Sequence, residues 1–464
     1  MPEKSIVSLG VQLSEGIKSG VSNENLDEWF KAVALSLETG LCSIDDFLDF
    51  GLTYLGQRGA ASILHKLQKL NDDGLLSFVL YDKGKVVALC HGDFLNTPYV
   101  GAKEELQLSP YSFLRPTKTG HGVSFEVADS CCEIVIEKDI SAALLRSVLS
   151  NEIQTVEAVA NRIREYLEDV TEEAVYSLLS VLIHGGVFVT GLTKAENMQT
   201  IWEFHDLLFH NRSTQVGGCN FRQGASYPLR GKIAPLPALR PCCDWPEFIE
   251  LPRLQPRDLS ISFWDVLQQR RSPPDGMESA DTIHLVDLGY FLSMLEIRNS
   301  GVENGLYDTT RRLYAGAGAC YELEFYLIIE RCVGITPGLY YYNPGNHTLH
   351  LVAKWSHSLQ TMSKRAESAT GRIRSPAAII LISARFGRLA WKYEGIAYSL
   401  CLKDVGVVFS HMYLAGAALG VEVCGLGSVD GELFEQASGI DRLEEPLVAQ
   451  FMVVGSRTSD LLTR

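Results

Sequence analysis

Seven prolines fall between Pro228 and Pro256: Pro228, Pro235, Pro237, Pro241, Pro246, Pro252 and Pro256. Proline fixes φ and removes a backbone donor, so neither a long helix nor a central strand can run through this stretch. It reads as an extended connector, residues 215–253, between two halves that each need a core of their own. The chain has 464 residues, and domains commonly span about 100–200 residues, so such a division has room. The expected layout is two N-terminal modules (1–110 and 111–214), the connector, and a C-terminal domain at 254–464.

The N-terminal half mixes helices with small hairpins. Asp45–Asn71 carries an apolar face through Phe47, Leu48, Leu55, Ile63, Leu64 and Leu67, which predicts a helix. Leu76–Tyr81 and Lys85–Cys90 flank Asp82-Lys83-Gly84 and read as a hairpin. Val156–Leu167 and Glu172–Ile183 read as helices, followed by the strand Val187–Thr190. Helices followed by a small hairpin are the layout of a winged-helix module, here expected twice. DNA is the usual partner of that layout, yet Glu172–Ile183 begins with two glutamates and carries no Lys or Arg. The chain's formal charge is -15, which also repels phosphate backbones and anionic membranes. Nucleic acid and membrane are therefore not expected partners, whereas an extended peptide can add to a strand edge or groove. A domain that only aids folding or oligomerisation is the plainer alternative.

The start, MPEKSIVSLG, lacks a basic stretch followed by an apolar core, and no run reaches the roughly 18 apolar residues of a membrane helix. A cytoplasmic location is expected. Eleven cysteines form no CxxC. The adjacent pairs Cys131–Cys132 and Cys242–Cys243 suit neither zinc nor redox spacing, so buried thiols are expected and no metal.

Four segments in the C-terminal half carry chemistry. Arg270-Arg271-Ser272 supplies two planar donor forks and a hydroxyl, a set suited to a phosphate monoester. Arg311 to Tyr321 contains Ala315-Gly316-Ala317-Gly318, small residues that let backbone approach a flat ligand, ahead of the apolar strand LEFYLIIERC. Gly338–Tyr342 and His347–Val352 form a hairpin around Asn343–Asn346. The strand AAIILISA precedes Lys392-Tyr393 and a long Gly/Ala-rich helix, Leu402–Leu419, which should stop at Gly420. Gly425-Leu426-Gly427-Ser428 follows, and then a last strand, Val448–Gly455. Strands and helices in this mixed order predict an α+β class.

In this order the motifs resemble the nitroreductase-like flavoprotein superfamily, over about 210 residues. Within it they resemble the SagB-type dehydrogenases, specifically the azoline oxidases of cyanobactin pathways. The Lys392–Tyr393 pair, the long N-terminal extension and the segment Ile201–Thr214 carry that likeness. The resemblance implies a nitroreductase-like α+β domain that binds FMN and oxidises thiazoline or oxazoline rings of a ribosomal peptide to thiazole or oxazole. It implies that Arg270, Arg271 and Ser272 bind FMN phosphate and ribityl, with Arg457 reaching the phosphate. Gly316 and Gly318 would lie near the isoalloxazine ring, Gly425, Leu426, Gly427 and Ser428 would line it, and Lys392 and Tyr393 would be catalytic. It also implies a homodimer, with which the small-residue helix Leu402–Leu419 is compatible. Pro274, Ala315-Gly316, Ser399 and Ser410-His411 depart from the superfamily pattern.

An azoline has an acidic α-hydrogen beside its C=N bond. Aromatisation needs a base for that proton and an acceptor for a hydride. Tyrosine titrates near about 10 and lysine near about 10.4 in water. A Lys⁺ beside a Tyr favours tyrosinate, and a buried Lys loses its proton more readily. The pair can therefore share one proton, with either residue as the base. Two rivals stand beside this reading: an NAD(P)H-dependent nitroreductase or quinone reductase, and a flavin-free peptide-binding scaffold.

Overall fold

The computed structural model describes residues 9–13, 42–43, 57, 65, 67–68, 76–83, 85–92, 94, 97–117, 120, 122–130, 132–148, 154–190 and 201–214 of the N-terminal part. In the C-terminal part it describes 224–456 except 243, 256–258, 260, 273–281, 304–306 and 371–374. The chain divides into two compact units, Met1–Gln223 and Gly224–Arg464.

In the first unit the described elements run β1 (Leu9–Leu13), β2 (Cys42–Ser43), β3 (Leu76–Asp82), β4 (Lys85–His91), β5 (Glu105–Leu108), β6 (Ser112–Pro116), β7 (Gly122–Val127) and β8 (Glu133–Glu137). Then come α1 (Lys138–Val148), β9 (Gln154–Thr155), α2 (Val156–Tyr166), α3 (Glu172–His184), β10 (Phe188–Thr190) and α4 (Phe204–Thr214). The predicted hairpin is β3–β4, and the two predicted helices are α2 and α3. Thr155 and Thr171 cap those helices, each side chain accepting a bond from the amide three residues on. The predicted helix Asp45–Asn71 lies largely outside the described residues.

The division at residue 110 is not how this unit is built. Seven strands form one antiparallel sheet in the order β2-β1-β3-β4-β8-β7-β6, so β8 beyond residue 110 pairs with β4 before it. Phe78, Val87, Leu106, Ile134, Ile163 and Leu179 share one core. A second small sheet, β10-β5-β9, flanks the helices, and its middle strand comes from upstream of them. Local periodicity reads the hairpin and the helices. It cannot show that strands more than forty residues apart (Leu89 and Val135 face each other) will pair. Among the described residues two separate winged-helix modules are therefore not confirmed.

The second unit contains β11 (Phe248–Glu250), α5 (Phe263–Gln269), β12 (Ile283–His284), α6 (Leu285–Leu292), β13 (Ile297–Glu303), β14 (Tyr307–Arg312), β15 (Leu323–Ile329), β16 (Cys332–Val333), β17 (Gly338–Asn343) and β18 (Thr348–Lys354). It continues with α7 (His357–Ala369), β19 (Ala378–Ala384), α8 (Gly387–Lys392), α9 (Ala397–Leu419), β20 (Val421–Leu426), α10 (Gly431–Ser438) and β21 (Leu447–Ser456). Its main sheet is antiparallel, in the order β11-β18-β17-β15-β19-β21-β20. β15 and β19 are buried along their whole length because both faces are covered. Alternation sends Phe325, Leu327, Ile380, Ile382, Phe451 and Val453 to the face under α6 and α9. It sends Tyr326, Ile328, Ile379, Leu381, Met452 and Val454 to the face under α7 and α10. This is an α+β domain, one antiparallel sheet with helices on both faces.

Helix α9 begins five residues ahead of the predicted Leu402 and stops where expected. Gly420 takes the left-handed φ of 68° and its amide closes on Gly416 O. A Cβ on Gly416 would come within 2.8 Å of Val421 O and Val423 Cγ2, so a glycine there lets the helix lie close to β20.

The proline-rich stretch is extended, as its composition requires, but residues 224–242 belong to the second unit. They form a strap across α8. Ile233 O accepts from Trp391 Nε1 at 2.8 Å, Leu236 O from Arg388 Nη1 at 2.6 Å, and Pro237 O from Arg385 Nη1 at 2.8 Å. A segment poor in donors is thus held through its carbonyls by side-chain donors. Cys90, Cys320, Cys332 and Cys401 are buried thiols. Among the described residues no helix is long and apolar enough to cross a membrane, and no group of three or more metal-ligating side chains assembles.

Candidate active site

Lys392 is the last residue of α8 and Tyr393 its cap. The Tyr393 amide still bonds to Leu389 O at 2.7 Å, while its backbone turns extended, with φ −121° and ψ 140°. The strap fixes this point from outside: Tyr227 N donates to Lys392 O at 3.2 Å, and Ala225 bridges to Tyr393. The Lys392 side chain is 4% exposed. Its Nζ donates to Gly318 O at 2.9 Å and lies 5.8 Å from the centroids of both the Tyr307 and Tyr393 rings.

Gly318 sits at the exposed tip of a tight turn, Ala317–Ala319, with left-handed φ of 53° at Gly318 and 54° at Ala319. A Cβ on Gly318 would overlap the Tyr393 hydroxyl and come within 3.1 Å of Lys392 Nζ. Gly316 is as confined: a Cβ there would press on the Tyr321 ring at 3.0 Å. Both Asp404 oxygens accept from Ala317 N, at 3.1 and 2.8 Å. The structure thus brings Gly318, Lys392 and Tyr393 together, although 74 residues separate Gly318 from Lys392.

A second cluster gathers around Tyr413 on α9. Its hydroxyl accepts from Gly425 N at 2.9 Å and lies 3.2 Å from Ser272 Oγ, so its own proton is available to the serine. The Arg270 guanidinium stacks on its ring at 5.8 Å. The Arg-Arg-Ser segment and the glycine loop meet through this one side chain. Arg271, Gln269, Tyr413, Gly416 and Glu422 line a cavity of about 410 Å³ beside it. Arg270 and Arg271 are exposed and pair with no described carboxylate. Two unneutralised guanidinium forks, a serine hydroxyl and a cavity within the usual range of cofactor pockets, about 300–1,000 Å³, fit a phosphate-bearing group such as FMN.

The remaining motif residues divide. Leu426 turns its side chain into the core on the α7 and α10 face, leaving only its backbone to a ligand on the α9 side. Gly427 is open, with no atom within 4 Å of a would-be Cβ, and Ser428 is exposed, its carbonyl accepting from Gln450 Nε2 at 2.6 Å. Arg457 lies outside the described residues. A larger cavity, about 880 Å³, lies by β11 and β18 among Phe248, Lys354 and Trp355; none of the motif residues lines it.

Three positions carry no motif signal. Arg388 is 0% exposed and donates to Cys320 O, Leu236 O and Asp308 O at 2.6–2.7 Å, while stacking on Tyr307 at 4.6 Å. Burial pushes its pKa down from the ordinary value. Tyr413 is one aromatic in a small-residue helix. Glu322, 0% exposed, precedes an apolar strand. An arginine within the apolar run FGRLAW and a glutamate at a buried strand start were the available signals, and each is ambiguous alone.

Comparison with known proteins adds family evidence for both units. Residues 106–217 match the family described as cyanobactin oxidase ThcOx, and residues 294–456 match the nitroreductase family. The trifolitoxin-processing protein TfxB of Rhizobium leguminosarum bv. trifolii is 29% identical over 147 residues, 31% of this chain and 39% of TfxB. This chain therefore spans well under two thirds of that relative. The nitroreductase-type protein MJ1384 of Methanocaldococcus jannaschii is 26% identical over 191 residues, 40% of this chain and 87% of MJ1384. The E. coli microcin synthetase McbBCD complex with truncated pro-MccB17 bound aligns at a TM-score of 0.33 and 18% identity, over 40% of this chain and 69% of that one. The chain is thus a two-part protein, with a cyanobactin oxidase ThcOx domain at residues 106–217 ahead of a nitroreductase-family domain at residues 294–456.

Proposed function

We propose that this chain is an FMN-dependent azoline oxidase that converts thiazoline or oxazoline rings of a ribosomally made peptide into thiazole or oxazole. The observation that carries the reading is the convergence of Tyr393 Oη and Lys392 Nζ on the exposed Gly318 tip. A hydroxyl and an ammonium beside one glycine offer a proton acceptor and a partner for it where a flat ring can approach backbone closely. The ThcOx match, and a relative named for trifolitoxin processing, support a peptide substrate.

In this reading Arg270, Arg271 and Ser272 hold the FMN phosphate, and Tyr413 ties them to the Gly425 backbone. Bound FMN would accept the hydride that leaves the azoline ring carbon. The protein's own part is to take the α-proton. The Lys392–Tyr393 pair receives it, with Lys392 Nζ anchored on Gly318 O and Tyr393 Oη lying against the same glycine. Loss of that proton and of the hydride removes two electrons from the ring and leaves the aromatic azole. Exposed Phe263, Trp264, Tyr398 and Leu402 on α5 and α9 support a homodimer, with the site near the shared surface.

The visible spectrum of the purified protein is the test, followed by an azoline-containing peptide without NAD(P)H. Flavin bands should bleach with peptide and return with air. A protein that takes up no FMN overturns the proposal. The match to MJ1384 favours a second reading, an NAD(P)H-dependent reductase. Flavin bleached by NAD(P)H and untouched by peptide would select it.

A further inference from the structure

We propose that Glu322 and Asp404 form a one-proton carboxyl pair that pins the Ala317–Ala319 turn and so fixes the carbonyl to which Lys392 donates. Glu322 is 0% exposed and Asp404 6% exposed. Neither Glu322 oxygen accepts a bond from another residue's donor. The side chain it meets is another carboxyl, Asp404. Two buried carboxyls in contact are both satisfied only if one carries a proton and donates it to the other.

The donor can be assigned. Asp404 accepts from the Ala317 amide through both oxygens, which favours its charged form. On Glu322 the pull of its own amide is outweighed by burial and by the Asp404 charge. Burial, with the Asp404 charge adding to it, pushes the Glu322 carboxyl up to about 8. Burial also raises Asp404, and the Ala317 amide opposes that rise. The proton therefore rests on Glu322, and Asp404 keeps the charge that holds the turn.

The surroundings agree with a single negative charge. From β14, Arg312 faces the pair; its Nη1 donates to Tyr314 Oη at 2.9 Å, and its Nε has no partner. Cys401 of α9 and Cys320 of the turn are the neighbouring thiols, and burial pushes both up, Cys320 to about 11. Tyr307 and Tyr314 also face Glu322, and burial raises both. These four groups stay neutral at physiological pH, so Arg312, which also faces Glu324, meets one carboxylate of the pair and not two. Loss of the Glu322 proton would set two buried carboxylates against each other beneath the turn and loosen the Ala317 amide bond.

The consequence for Lys392 rests on the role proposed for that residue; the pair itself does not. Hydrogen–deuterium exchange of the segment 315–321 in the full chain, read as protection at pH 6 and pH 9, tests it. In the wild type, protection should fall about tenfold between the two pH values. Glu322→Gln keeps a donor toward Asp404 but cannot titrate, so its protection should change by less than about twofold over the same range. Glu322→Ala should be poorly protected at both. A carboxylic-acid carbonyl band in the infrared spectrum at pH 7, lost in Glu322→Gln, is the matching signature. Equal pH dependence in wild type and Glu322→Gln, or an unchanged infrared band, overturns the pair. A pH-independent Glu322→Gln in a protein that oxidises no azoline leaves the pair standing and rejects the azoline reading instead.

Discussion

The Tyr393 hydroxyl occupies the space that a side chain on Gly318 would need. Two demands meet at this glycine: a left-handed φ of 53°, and room for a phenol. Gly318→Ala should therefore fail twice. The left-handed backbone costs a non-glycine residue about 1–2 kcal/mol, and the added methyl must displace Tyr393. A lower melting temperature together with loss of azole formation is expected. A variant with wild-type stability and full activity would refute the placement of the hydroxyl.

Lys392 and Tyr393 should separate from the flavin. Neither is part of the Arg270–Ser272 cluster, so Lys392→Ala and Tyr393→Phe are expected to retain FMN, judged by absorbance after gel filtration. Azole formation should drop by about 10²–10⁴-fold, the usual contribution of a positioned acid or base. Full activity in both variants would remove them from the mechanism.

Tyr413 is a mechanical link between two segments that the sequence shows as separate motifs. Tyr413→Phe removes the bond to Gly425 N and the contact with Ser272. One buried hydrogen bond contributes about 0.5–1.5 kcal/mol, so FMN affinity should weaken by up to about tenfold. Arg270→Ala and Arg271→Ala should weaken FMN more than riboflavin, because only FMN carries the phosphate. Equal losses for both ligands in a titration would show that the phosphate lies elsewhere.

The contrast between these clusters shows what was legible in the chain. Lys392, Gly318 and Gly425 stand in ordered motifs, and order along the sequence pointed to a common region. The strands β15 and β19 and the stop at Gly420 followed from composition, since uninterrupted apolar runs and a left-handed glycine leave few choices. Arg388 and Tyr413 work only through partners far away in sequence: Leu236 lies 152 residues before Arg388, and Ser272 lies 141 residues before Tyr413. No local pattern encodes such contacts. The strap was read as a connector because prolines report what a segment cannot form, not what its carbonyls will meet. The single sheet of the first unit was missed for a related reason, because β4–β8 pairing joins distant strands.

Arg388 gives the strap its energetic weight. One guanidinium holds Cys320 O beside the turn, Leu236 O of the strap and Asp308 O of β14. Arg388→Met would leave the buried Cys320 O without this donor, at roughly 1–3 kcal/mol, and would release the part-buried carbonyls of Leu236 and Asp308. A loss of about 1–3 kcal/mol in denaturant unfolding is expected, with new proteolytic cleavage within 224–242. Unchanged cleavage would mean that the strap's other bonds, to Trp391, Arg385, Lys392 and Tyr393, hold it without Arg388.

Acid should destabilise the second unit through buried histidines. Burial lowers the pKa of His411 below its ordinary 6.5, although its Nε2 meets Met294 O at 2.8 Å. His347 is also depressed by burial, between Tyr342 Oη and Pro252 O. A group whose folded pKa is depressed binds a proton in the unfolded chain first. Its stabilisation is present above about 6.5 and is lost as pH falls through the folded value. The melting temperature should therefore fall on acidification from pH 7 to pH 5, and His411→Gln should reduce that fall. Glu322 has the opposite sign: its folded pKa is raised, so its contribution is full below the unfolded value and drains away as pH rises through about 8. The two variants should thus act on opposite limbs of one stability curve, Glu322→Gln flattening the alkaline side and His411→Gln the acid side. If His411→Gln left the acid limb unchanged, His411 would titrate alike in the folded and unfolded chain, and its burial would contribute nothing to the acid loss.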